Sequence, residues 1–250
     1  MPDHVLQTVA LRRDFAGLRA VDDVDLNVQR GSIHAIIGPN GAGKTTLFNL
    51  LTKFLAPSAG HIKLNGEDVT AIGPSQIASL GMVRSFQISS VFNRLSALQN
   101  VRVALMRKSG DTGRFWSSQK VMDRYNDRAL QLLDEVGLRR WANHQSSLLA
   151  YGQKRKLEIA TTLALEPNVL LLDEPMAGVA QEDIEPLMAL IKALAGTRTI
   201  VIVEHNLKVV ARLADIITVM ARGRIIAEGT YDVVSRNDEV RTAYLGSTHA

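Results

Sequence analysis

Residues 38–45 read GPNGAGKT: three glycines, a proline and an asparagine, ending on a lysine and a hydroxyl. The spacing fits G-x-x-x-x-G-K-[ST], and its residue types suit a phosphate chain. Gly38, Gly41 and Gly43 let backbone N–H groups approach anionic oxygens closely, with Pro39, Asn40 and Ala42 completing the wrap. A helix opening at the end of the loop adds the partial positive charge of its N-terminus. Lys44 can reach β- and γ-phosphates, and the Thr45 hydroxyl, followed by Thr46, can ligate Mg²⁺. A plain glycine-rich turn would leave the lysine unexplained.

Three further stretches could act on such a ligand. VLLLDEP (169–175) sets two carboxylates at the end of an apolar run. In an open α/β sheet ligands gather at that edge, where Asp173 would hold Mg²⁺ and Glu174, pointing the other way along the strand, would polarise a water. The alternative is a strand that simply ends in solvated acids. VIVEHNL (201–207) ends a second apolar run on His205. A lone histidine is more often a packing or capping residue; at the same sheet edge as Asp173 it is also a donor for a γ-phosphate. LLAYGQKRKLEIA (148–160) opens an amphipathic helix on a glycine and a glutamine, either an ordinary helix start or a second anion site.

Positioning these residues requires a layered α/β frame. IHAIIG (33–38), VLLLD (169–173), TIVIVE (199–204) and IITVM (216–220) read as strands. The second and third are apolar almost throughout, as strands buried on both faces of a parallel sheet are. Helices are predicted over 44–54 and 153–165, the latter with Leu157, Ala160, Thr161 and Ala164 on one stripe. Alternation of the two patterns points to an α/β core. The first 35 residues and 58–70 carry short alternating runs with turn signals, predicting antiparallel strands, and IITVMARGRIIAEG predicts a hairpin turning at Arg222-Gly223. Residues 96–150 are mostly helical in pattern, with Ala129, Leu132, Leu133 and Val136 on one face, while 107–120 read as a polar, mobile loop.

Composition sets bounds. The chain has 250 residues, 46% of them apolar and 22% charged, as soluble globular proteins do. No run of 18 apolar residues is present, so no segment is expected to span a membrane, and MPDHVLQTVALRRDF does not read as a secretory signal. The absence of cysteine excludes disulfides and thiolate metal sites and fits a reducing cytoplasm. Net charge is +4, and 20 of the 29 basic residues are arginine, a surface able to meet nucleic acid or lipid headgroups. No basic run reaches five residues, which argues against nucleic acid.

Taken together, the motifs resemble the ATP-binding subunit of ABC transporters along essentially the whole chain. In order these are the loop at 38–45, RSFQ with Gln87, a signature at Leu149, Ala150, Tyr151, Gly152 and Gln153, the acidic strand with Glu174, and His205. The resemblance implies a P-loop NTPase (RecA-like) α/β core with a parallel sheet, an antiparallel β subdomain and an inserted helical subdomain. As one domain over 1–250, it would comprise a core at 1–95 and 160–235, a helical part at 96–159 and a C-terminal extension at 236–250. It further implies two such domains paired head to tail, as a homodimer or heterodimer, closing two ATP molecules between the loop of one and LAYGQ of the other. Phe15 would stack on adenine, or else serve as a core aromatic. Gln87 would join Thr45 and Asp173 around Mg²⁺, and ISSVFNRLSA after it would dock on integral membrane permease subunits, with a solute-binding protein engaged indirectly. The place of action would be the cytoplasmic face of the inner membrane, peripherally.

EPMAGV, VEHNLKVV, ARGRIIAEG and YLG narrow the resemblance to the branched-chain amino acid uptake group, which includes amide and urea importers. Two departures stand out. Ala150 replaces a serine of the usual L-S-G-G-Q, removing a charge-assisted hydrogen bond worth about 1.5–3 kcal/mol, and Ala180 stands where S-A-L-D has its aspartate. With Lys44, Asp173, Glu174, Gln87 and His205 all present, ATP hydrolysis is still expected. The competing readings are a P-loop small-molecule kinase and a soluble ABC ATPase on nucleic acid. The first needs an acceptor site, and the second typically has coiled-coil insertions or tandem halves, neither of which the sequence displays.

Overall fold

The computed structural model describes residues 3–85, 91–109 and 123–245. Its strands are β1 (His4–Phe15), β2 (Leu18–Val24), β3 (Asn27–Gln29), β4 (Ile33–Ile37), β5 (Ala59–Leu64), β6 (Glu67–Asp68), β7 (Met82–Ser85), β8 (Val169–Asp173), β9 (Thr199–Val203), β10 (Ile216–Ala221) and β11 (Arg224–Gly229). Its helices are α1 (Lys44–Leu51), α2 (Pro74–Ser79), α3 (Ala97–Ser109), α4 (Asn126–Glu135), α5 (Tyr151–Leu163), α6 (Gln181–Ala195), α7 (Leu207–Leu213), α8 (Tyr231–Ser235) and α9 (Asp238–Leu245). The chain divides into two compact units. One comprises Met1–Met82, Asn168–Pro175 and Ile191–Ala250, the other Val83–Pro167 and Met176–Leu190.

The larger unit holds two sheets. In the first, β1 pairs antiparallel with β2, β3 and β5, and β6 continues from β5. In the second, five strands run in the order β11-β10-β4-β9-β8; β4 is parallel to β10 and β9, β9 is parallel to β8, and β11 returns antiparallel on β10. Every residue of β4, β8 and β9 is buried. That explains why they are apolar almost throughout, since both faces are covered. Leu47, Phe48, Leu50 and Leu51 of α1 join Ile36, Leu171, Val201, Val203 and Met220 in the core of this unit. Truncating a side chain such as Phe48 would cost about 3–5 kcal/mol.

Local signals set the boundaries. Helix α1 stops at Leu51, short of the predicted residue 54, because Lys53 takes φ +64°. Strand β9 ends at Val203, and the expected turn at Arg222-Gly223 is present, with φ +49° and +82°. Its Gly223 N–H donates to the Ala42 carbonyl (3.0 Å) and its Gly223 carbonyl accepts from Asp22 (2.9 Å). The Asp22 carboxylate binds Arg224 (2.7 Å) and Arg19 (3.0 Å), and these guanidiniums, Arg224 foremost, hold it below the usual carboxylate range. The hairpin is therefore tied both to the glycine-rich loop and to β2.

In the smaller unit α3, α4 and α5 pack together through Val101, Leu105, Ala129, Leu132, Leu133 and Leu157. The four positions predicted on one face at 129–136 are all buried. Helix α5 starts two residues before the predicted point, with Ala150 as its N-cap. Its buried face is wider than the expected stripe: it includes Arg155 and Glu158, which bond each other at 2.9 Å. Buried Asn100 of α3 organises the neighbouring segment. Its amide donates to the Phe92 and Ser96 carbonyls and to the Ser146 hydroxyl (3.2, 2.9 and 2.9 Å), and its oxygen accepts from the Phe92 N–H (2.7 Å). Residues 110–122, most of the polar stretch read as a loop, lie outside the described residues.

A polar relay runs from buried His34 on β4 through buried Thr218 on β10 to Glu228 on β11. His34 Nε2 lies 2.7 Å from the Thr218 hydroxyl, which donates to Glu228 at 2.6 Å, so Nε2 carries the proton. Burial pushes His34 down to about 4. The unfolded chain therefore takes up this proton near pH 6.5 while the native state resists it. Stability from this group is complete above pH 6.5 and is lost as pH falls toward 4, with a slope approaching about 1.4 kcal/mol per pH unit. In urea denaturation series across that window, His34→Gln is expected to lose less stability on acidification than the parent; equal losses would refute the assignment.

Candidate active site

Strand register sets which residues can meet. Ile36 pairs with Val203, and Val203 with Asp173, so β4, β9 and β8 end level with one another. The next residues of all three strands leave the sheet at the same carboxyl edge: Gly38 after β4, Glu174 after β8, Glu204 and His205 after β9.

The glycine-rich loop fits only with its glycines. A Cβ on Gly38 would stand 2.2 Å from the Met220 carbonyl oxygen. Gly43, the N-cap of α1, has φ +101° and passes so close to Ala20 that a Cβ would meet its carbonyl oxygen at 2.4 Å. The first helical bond runs from the Leu47 N–H to the Gly43 carbonyl, so the amides before Leu47 open the helix toward an anion. Lys44 donates to the Gly38 carbonyl at 2.7 Å and to the Pro39 carbonyl at 2.9 Å. Burial lowers its pKa, opposed by the charges of Glu174 and Asp173. Asn40, Gly41 and Thr45 are exposed, Thr46 is half-buried and Ala42 is buried.

Asp173, the last residue of β8, is buried. Glu174 is not the next residue of that strand, as alternation predicted. It turns into the left-handed region, φ +46°, while its N–H donates to the Val203 carbonyl at 2.9 Å. Such a conformation costs a non-glycine residue about 1–3 kcal/mol and is met at functional sites. The Glu174 carboxylate lies 3.9 Å from Nδ1 of His205, whose side chain is 62% exposed. His205 is held by its neighbours. Buried Glu204 accepts from the His205 and Asn206 N–H groups (3.2 and 3.5 Å), and Asn206 caps α7 through the Lys208 and Val209 N–H groups (3.1 and 3.4 Å). Sequence reasoning missed Glu204; nothing local marks a buried carboxylate. Asn206 before an apolar run is a helix-start signal that could have been used.

The larger unit thus brings Lys44, Asp173, Glu174 and His205 to one edge. The donor set suits a hydrated Mg²⁺ triphosphate: oxygen ligands on Thr45 and Asp173, a buried ammonium, and a helix N-terminus. Among the described residues no group of three or more His, Cys, Asp or Glu is arranged to hold a metal by itself. Gln87 lies outside the described residues. Phe15 ends β1, is 38% exposed, and carries the Arg13 guanidinium 4.6 Å from its ring centroid.

The predicted signature lies in the smaller unit. Leu149 is buried, Ala150 exposed, and the Gln153 side chain accepts from the Ala150 N–H at 3.0 Å, closing the helix start. Tyr151 packs against Gly178, and a Cβ on Gly152 would meet the Asp183 carboxylate at 2.4 Å. This glycine is therefore required by packing within its own unit.

Comparison with known proteins agrees with this architecture. The family model described as "ABC transporter" matches residues 21–177, and one described as "Branched-chain amino acid ATP-binding cassette transporter" matches 224–250. The chain is 38% identical to the high-affinity branched-chain amino acid transport ATP-binding protein BraF of Pseudomonas aeruginosa, covering 97% of this chain and 98% of BraF. It is 38% identical to LivG of Escherichia coli K12, covering 98% and 99%. The ADP conformation of MJ1267, an ATP-binding cassette of an ABC transporter, superposes with TM-score 0.85 at 28% identity, over 97% of this chain and 99% of that one. A dimeric post-hydrolysis state of the cassette MJ0796, bound to ADP and Pi, superposes with TM-score 0.76 at 26% identity, over 90% and 98%. Over the family-matched segment and nearly end to end along these relatives, the chain carries one fold and one set of motifs, and it belongs to the ATP-binding cassettes of ABC transporters.

Proposed function

We propose that this chain hydrolyses ATP to drive import through a separate membrane permease, with branched-chain amino acids or related small polar solutes as cargo. One observation carries the site assignment: the level ends of β4, β8 and β9 bring Lys44, Asp173, Glu174 and His205 together. Lys44 leaves its two carbonyls to bind β- and γ-phosphates, and the loop amides from Gly38 to Thr46 wrap the chain. Glu174 orients a water for in-line attack on the γ-phosphorus; the bond to the bridging oxygen breaks, giving ADP and phosphate. His205 and Lys44 offset the charge on the transferring group. Thr45, Asp173 and Gln87 would hold Mg²⁺, which when bound neutralises charge on the β- and γ-oxygens. Phe15 stacks on the adenine.

The second half of the site comes from another ATP-binding subunit, identical or related, whose Leu149–Gln153 segment faces the γ-phosphate through the amides at its helix start. Support comes from the dimeric cassette that this fold resembles and from the exposure of Ala150. The cargo assignment rests on BraF and LivG, both named for branched-chain amino acid transport. No helix among the described residues is long and apolar enough to cross a membrane. In this reading the permease holds the subunit peripherally at the cytoplasmic face, and a solute-binding protein delivers the cargo.

Glu174→Gln is expected to lower phosphate release at least 100-fold while preserving ATP binding and trapping a nucleotide-bound dimer by light scattering; normal turnover would remove Glu174 as the water-orienting group. Lys44→Ala is expected to weaken ATP binding 10-fold or more, on the order of 1.4 kcal/mol, in equilibrium titration. Unaltered affinity would overturn the loop's assignment.

A further inference from the structure

The peptide joining Val203 to Glu204 ties three strand ends together. Its carbonyl accepts from the Glu174 N–H at 2.9 Å, after β8, and its N–H donates to the Ile36 carbonyl of β4 at 3.4 Å. The next side chain along is that of Glu204, only 1% exposed. A carboxylate so deeply buried is costly unless hydrogen bonds satisfy it. Its Oε2 accepts from two consecutive backbone amides, His205 at 3.2 Å and Asn206 at 3.5 Å. Beyond the bend, Asn206 caps α7 through the Lys208 and Val209 N–H groups. The His205 side chain, by contrast, is 62% exposed, with Nδ1 3.9 Å from the Glu174 carboxylate. Little packs around the imidazole, so its place is set by the backbone that carries it. That backbone is held from beneath by Glu204.

We infer that Glu204 is a positioning residue for ATP hydrolysis: its carboxylate clamps the His205 and Asn206 amides to the ends of β4 and β8 and so sets the imidazole beside Glu174. The inference rests on the proposed role of His205. The glycine-rich loop has its own supports at Met220, Ala20 and Gly223, so the clamp acts on the chemical step more than on nucleotide affinity. A displacement of about 1 Å at a reacting centre can cost on the order of 100-fold in rate.

The test uses the full chain with Glu204→Leu, which keeps most of the bulk and removes the acceptors, Glu204→Gln, which keeps one acceptor oxygen, His205→Ala, and the double variant of Glu204→Leu with His205→Ala. Glu204→Leu is expected to lower kcat about 10–100-fold with Kd for MgATP changed by less than about threefold, and Glu204→Gln to stay within about threefold of the parent. The double variant is expected to turn over no slower than His205→Ala alone, because a residue acting through His205 then has nothing left to act on. Parental turnover in Glu204→Leu beside an impaired His205→Ala, equal losses in Glu204→Leu and Glu204→Gln, or additive losses in the double variant each overturn the inference alone. Parental turnover in His205→Ala removes the His205 assignment, and the inference with it. Should Glu204→Leu not fold, Glu204→Gln decides by NMR. A neutral acceptor bonds more weakly than an ionised one, so the His205 and Asn206 amide protons are expected to move upfield while that of Lys208, bonded to Asn206, holds still. Unmoved His205 and Asn206 resonances refute the clamp.

Discussion

The pairing of Ile36 with Val203 and of Val203 with Asp173 is the constraint on which the rest of the molecule depends. Parallel strands have evenly spaced, slanted hydrogen bonds, and a slip of one residue turns every side chain to the opposite face. Here such a slip would carry Asp173 away from the ends of β4 and β9. The strands β4, β8 and β9, apolar apart from His34, Asp173 and Thr199, define burial on both faces but not register by alternation. Register must come from the ends: the Glu174 N–H on the Val203 carbonyl and the Thr199 N–H on the Asn168 carbonyl. Glu174, to which the proposed reading gives the water-orienting role, thus helps set the sheet it depends on.

Much of this was legible before any coordinates. The loop at 38–45, the acidic strand end and His205 are local patterns, and the strands beneath them announce themselves by continuous hydrophobicity. What escaped depends on contacts between residues far apart in sequence. No local pattern marks Asn100, yet it ties Phe92, Ser96 and Ser146 together. Glu174 was read as alternating along a strand, because a left-handed turn at a glutamate has no local signature. Gly152 reads in the sequence as either an ordinary helix start or part of a second anion site; the packed Asp183 carboxylate, more than 30 residues away, gives a reason for the glycine that neither reading contains.

Polar groups, rather than the apolar core, fix the loops. Asp22 under Arg224 and Arg19, Glu204 beneath the His205 bend, and Asn100 beside Ser146 each satisfy several donors or acceptors from a single buried position. Removing one leaves its partners unpaired at about 1–3 kcal/mol, several times the worth of an exposed ion pair. The strained Glu174 backbone is sustained in the same way, held to the Val203 carbonyl at the end of a fully buried strand.

Phe15 carries one such consequence into selectivity. Arg13 occupies one face of its ring, so a single face remains for a planar ligand. A benzene ring has no polar atom with which to distinguish an amino group from a carbonyl on a purine. Under the proposed reading, flatness and area are sensed there while base identity passes unread, and guanosine and adenosine triphosphates compete on nearly equal terms at that contact.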